Sequence, residues 1–179
     1  MKISLDWLKD FADITLPREE IASILTDTGL EVEKIETVDL IKGGLKGVLV
    51  GEVLEKRQHP NADRLSITKV NIGESKALQI VCGAPNVAEG QKVMVSTIGA
   101  ELHPISGDPF KIKKGKIRGE VSEGMICAED ELGLGKGHDG IMVLDSQTIP
   151  GTPAAEHLGL SSDTCIEIGL TPNRTDALV

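Results

Sequence analysis

The chain has 179 residues, 40% of them apolar and 26% charged, and carries a formal net charge of -9. That composition fits one ordinary domain or two small ones and excludes a disordered chain. No apolar run reaches the roughly 20 residues a membrane helix needs, and Met1-Lys2-Ile3-Ser4 opens no signal-peptide core. Cys82, Cys127 and Cys165 lie far apart without a CxxC pair, so they read as reduced thiols of a cytoplasmic protein, not as a disulfide or zinc frame.

In chain order, Ser4 caps a short helix whose apolar stripe is Trp7, Leu8 and Phe11. Pro17 opens a second helix, Glu19 and Glu20 sit at its positive end, and Gly29 stops it. Residues 30–38 turn β-branched and read as a strand, and Lys42-Gly43-Gly44 marks a hinge. Short strand-like runs then alternate with turn signals at 48–54, 65–72, 78–81, 92–97, 111–117, 124–127 and 141–144. After Pro150-Gly151 come a helix capped by Thr152 and a strand over 164–169 with Ile166 and Ile168 on one face. The pattern predicts a β-rich α+β fold: an OB-fold β-barrel over 40–149, inserted into a small discontinuous α/β domain made of 1–39 and 150–179. The run 170–179 closes on apolar Val179 without a polar tail, as expected of a piece of a longer protein.

Charge divides the same way. Residues 40–149 hold 14 Lys and Arg against 14 Asp and Glu, whereas the flanks hold 5 against 14. Within the neutral middle, Lys111, Lys113, Lys114, Lys116 and Arg118 crowd into eight residues. A cationic strip on an acidic chain points to a polyanion such as RNA, against the plainer reading of a solvated charged face. Aromatic residues are scarce: Trp7, Phe11, Phe110 and no Tyr. Base stacking therefore cannot be the main source of affinity, and phosphates and helical shape are the expected targets.

Other candidates carry weaker signals. In the turn His59-Pro60-Asn61-Ala62-Asp63-Arg64, Arg64 can reach a phosphate, whereas His59 has no metal-ligand spacing around it. Asn86 is a loop residue suited to touching RNA or to folding its own turn. Ser122 is a small donor, Gly124 permits close backbone approach, and Met125 offers an adaptable apolar surface; the alternative is that Met125 and Ile126 are core. Cys82 next to Gly83 invites a nucleophile, but no oxyanion device accompanies it. Glu129-Asp130-Glu131 can serve acid–base work or magnesium, and more simply caps a short helix.

Six runs in register, ISLDWLKDF, LTDTGLEVE, HPNADRL, IVCGAPNV, KIRGEVSEGMICAEDELGL and LTPNRTDAL, together resemble the N-terminal portion of the β subunit of bacterial phenylalanyl-tRNA synthetases. HPNADRL, CGAPN and the SEGM run alone mark only a tRNA-binding OB module, which other tRNA-binding proteins share; the flanking runs discriminate. The resemblance implies an α2β2 enzyme that uses ATP and magnesium to join phenylalanine to its tRNA, with catalysis in the α subunit and none in this segment. It also implies a tRNA contact at Ser122 and Met125, carried over from the SEGM run of free-standing relatives. A module that docks synthetase subunits, with little tRNA affinity of its own, is the alternative.

Overall fold

The computed structural model describes residues 1–172, so most of the LTPNRTDAL run lies outside the described residues. The elements in chain order are β1 (Lys2–Ser4), α1 (Leu5–Lys9), α2 (Arg18–Asp27), β2 (Glu31–Asp39), β3 (Val48–Gln58), β4 (Ser66–Asn71) and β5 (Leu78–Cys82). Then follow β6 (Lys92–Thr97), β7 (Glu101–Leu102), β8 (Phe110–Lys111), β9 (Gly115–Ile117), β10 (Glu120–Ser122) and β11 (Gly124–Ile126). The last are β12 (Val143–Leu144), α3 (Ala154–His157) and β13 (Ser162–Gly169). The chain forms two compact units, one of Met1–Leu40 with the segment from Ser161 onward, the other of Ile41–Leu160.

The first unit is an antiparallel sheet in the order β1-β13-β2 with α1 and α2. Ser4 caps α1 as the sequence predicts, its Oγ accepting from Trp7 N at 2.9 Å. Gly29, at φ 90, ends α2, where Leu30 N donates back to Leu25 O at 2.9 Å. Ile166 and Ile168 lie together in the core with Leu5 and Ile21, and Leu8 and Leu25 pack against them. The expected stripe on α1 is only partly inward. Trp7 and Phe11 stay 60% and 74% exposed and meet edge to face at 5.5 Å.

The second unit is built on the antiparallel order β11-β6-β3-β4-β5, with β12 also on β6. Strand β3 is shared: Val48–Glu52 pairs with β6 and Glu52–Gln58 with β4. A register shift between Val53 and Glu55 bends it so that one strand serves both halves of a curling sheet. Gly51 lies in this stretch, where a Cβ would fall 2.6 Å from Val95 Cγ2 and 2.7 Å from Val70 Cγ1. The sheet closes nearly to a barrel, because β5 meets the β10–β11 corner: Glu123 N donates to Gln79 O at 2.8 Å, and Val81 N to Ser122 Oγ at 3.1 Å. Val53, Val70, Ile80, Val93, Val95 and Ile126 form one core, while Met94, on the opposite face of β6, joins Val48, Leu102 and Leu132 in a second. Burial on both faces fits the consecutive apolar residues Val93, Met94 and Val95 in the middle of β6.

Two expectations are corrected here. Residues 150–160 belong to the barrel unit, not to the flanking sheet. Val50 N donates to Thr152 O at 2.8 Å, Gly151 N donates to Val50 O at 2.8 Å, and Ala154 is fully buried in the second core. Thr152 caps nothing; its Oγ1 donates to Ile149 O. Lys42-Gly43-Gly44 lies just past the boundary between the two units, which falls between Leu40 and Ile41, and the adjoining Leu45 is buried in the second core.

Candidate nucleic-acid interface

The basic strip is not one strand. Lys111 ends β8, which pairs with β7, and Gly115 begins β9, which pairs with β10. Arg118 and Gly119 form the two-residue turn between β9 and β10, at φ 52 and 99, the left-handed geometry that tight hairpins require. The strip therefore folds back on itself, and its cations divide. Lys111 and Lys113 line an apolar cleft of about 600 Å3, together with Gly115, Ile117 and Met125. Lys114 and Lys116 are absent from that lining: Lys116 alternates away from Gly115 and Ile117 along β9. Lys114 instead donates to Glu123 Oε1 at 2.8 Å. That hydrogen bond, with the charges of Lys114 and Lys76, holds the Glu123 carboxyl below the usual carboxylate range. Among the described residues, Lys111, Lys113, Lys116 and Arg118 have no ion-pair partner.

The remaining candidates separate clearly. Arg64 is exposed in the loop between β3 and β4. Asn86 is spent on folding: its Nδ2 donates to Ile141 O and its Oδ1 accepts from Ile141 N, both at 2.9 Å. Ser122 is 5% exposed; its hydroxyl accepts from Val81 N and donates to Gly124 O, which seals the barrel, and the residue also forms part of the cleft lining. Met125 sits half-buried at the cleft while its neighbour Ile126 enters the core. The two carry-over residues of the SEGM run thus both reach the cleft, Ser122 from the barrel seam and Met125 from β11.

His59 matters in a way that a search for metal spacing misses. It is 2% exposed; its Nε2 donates to Ile117 O and its Nδ1 accepts from Asn61 N, both at 3.1 Å. One imidazole thus ties the Arg64 loop to the β9–β10 hairpin. The only advance signal is a histidine set against a Pro-Asn turn in an otherwise exposed loop.

Among the described residues, no catalytic geometry gathers around the cysteines or the acidic run. Burial pushes the Cys82 thiol up and raises Cys127, bonded to Ser96 Oγ, to about 12. Both are poor thiolates. Iodoacetamide in mildly alkaline buffer is therefore expected to modify half-buried Cys165 first, leaving Cys82 and Cys127 untouched until the chain unfolds; peptide mass mapping reads this out. In the acidic run, Glu131 accepts from Ala128 N at 2.8 Å and Asp130 bonds His138 at 2.7 Å, holding a turn and not the expected helix. Among the described residues, no three His, Cys, Asp or Glu side chains come together as a cation site, and no helix is long and apolar enough to cross a membrane.

A nearly closed five-strand barrel bearing unpaired cations beside a cleft is a nucleic-acid-binding architecture, and the chain matches the family described as "Putative tRNA binding domain" over residues 48–153. It belongs to that family. Over its length it is similar to β subunits of phenylalanine–tRNA ligase: 53% identical over 178 residues to that of Bacteroides fragilis and 51% over 177 to that of Porphyromonas gingivalis. That of Chlorobaculum tepidum is 51% identical over 179 residues. Each comparison covers 99% of this chain and 22% of the relative, so the chain spans about a fifth of their length. The resemblance carried by the sequence motifs therefore holds. A crystal structure of the C-terminal domain of Plasmodium vivax p43 overlaps 58% of this chain and 56% of its own, with a TM-score of 0.41 and 26% identity.

Proposed function

We propose that this chain is a non-catalytic, tRNA-binding segment of a phenylalanine–tRNA ligase β subunit, and that its barrel holds folded tRNA by phosphate contacts at Lys111 and Lys113, with Lys116, Arg118 and Arg64 adding to the attraction. The single observation that carries this reading is a set of cations without carboxylate partners among the described residues, on a chain of net charge -9. Met125, on the same cleft lining as Lys111 and Lys113, adds an adaptable apolar contact. In the complete enzyme the segment works in the cytoplasm beside an α subunit in an α2β2 assembly, where ATP and magnesium serve aminoacylation elsewhere. The test is a titration of the 179-residue chain with cognate and non-cognate tRNA across salt concentrations. Affinity should be similar for both and fall on a log–log slope of roughly −0.7 to −0.9 per phosphate contacted. Binding that ignores salt, or no binding at low salt, would overturn the reading.

A second role for the first unit is favoured by Trp7 and Phe11, whose exposed rings are bordered in sequence by Asp6, Asp10 and Asp13. Acidic surroundings repel RNA and suit a protein surface, as subunit docking would require. Association of the chain with a ligase α subunit, measured without tRNA, separates this role from the first.

A further inference from the structure

The cleft beside the lysines is larger and more apolar than phosphate binding requires. Its walls include Ala84, Pro85, Ile117 and Met125, and its volume of about 600 Å3 lies within the range of roughly 300–1,000 Å3 that encloses drug-sized ligands. Gly83, Gly115, Gly124 and Gly140 belong to its lining, and a Cβ on Gly115 would meet no heavy atom within 4 Å. The space at that edge is open.

We infer that this cleft takes one unpaired nucleotide of the bound RNA, the base against the apolar wall and its phosphate at Lys111 and Lys113. The inference rests on the tRNA-binding reading and adds a base contact to it. Charge selects this occupant over an apolar peptide side chain, because both ammonium groups lack a partner among the described residues. Two carboxylates share the lining, Glu131, which accepts from Ala128 N, and exposed Asp139, and neither forms an ion pair with Lys111 or Lys113 among the described residues. His138, also on the lining, is engaged by Asp130. With no Phe, Tyr or Trp ring in the lining, the base packs on the Met125 thioether and aliphatic carbons, a contact tolerant of base identity.

The test compares two RNAs against the 179-residue chain, a blunt duplex and the same duplex with one unpaired 3′ nucleotide. The overhang should tighten binding roughly tenfold, and Gly115→Leu, which fills the open edge without touching a charge, should remove the difference between the two RNAs. Equal affinity of wild type for both, on a normal salt slope, would sink the nucleotide cleft and leave the phosphate reading standing, as would an overhang preference that survives Gly115→Leu. Failure of the wild type to bind either RNA removes both.

Discussion

Replacing Lys111 and Lys113 by Ala lowers affinity for every tRNA roughly tenfold at about 0.1 M salt and flattens the log–log salt slope by about 2, close to one unit for each phosphate no longer neutralised. Both side chains line the cleft without an ion-pair partner among the described residues, so their full charge faces a ligand. Lys114→Ala should change little, because Glu123 already offsets that charge at 2.8 Å. Glu123→Gln should act in the opposite direction, releasing Lys114 and removing a carboxylate from the surface. Fluorescence anisotropy with labelled tRNA measures all three. A Lys114→Ala loss as large as that of the Lys111/Lys113 pair would mean that the ion pair opens on binding, and the division of the strip drawn from its folding would be wrong.

Gly124→Ala should destabilise the barrel by about 2 kcal/mol, the scale of an overpacked core site. A Cβ at Gly124 would lie 2.8 Å from Ser96 O, a backbone atom of β6, and 3.4 Å from Ile80 Cδ1. The carbonyl cannot swing aside, because β6 is paired with both β3 and β11 through the same residues. Relief must come from moving β11 away from β6, which opens the corner that Ser122 and Glu123 close against β5. Urea denaturation measures it as a lowered midpoint with an unchanged slope. A midpoint within error of wild type would show that the corner has slack the packing does not suggest.

Much of the fold is legible in the sequence because its signals are local. Pro17 and Gly29 bracket α2, Ser4 caps α1, and the run 92–97 reads as a strand. What stays hidden depends on distant partners. Thr152-Pro153 and Gly159 announce a helix, but nothing local says that Ala154 packs on the barrel core and not on the flanking sheet. Lys111–Ile117 looks like a continuous strand until its two ends pair with different neighbours, and that pairing decides which cations face the cleft. Asn86 and Ser122 look available because polar loop residues usually are. Each is tied to a backbone group 55 or 41 residues away in sequence, a bond that no local pattern announces. The open edge at Gly115 has no sequence signal at all.

The imidazole of His59 has one further effect. By holding Ile117 O on one side and Asn61 N on the other, it fixes two loops to each other before any ligand arrives. An approaching RNA then meets limbs already locked in position, and little conformational freedom remains to be surrendered at docking. Encounter should resemble a key meeting a cut lock, with rates set by diffusion and long-range field and not by rearrangement.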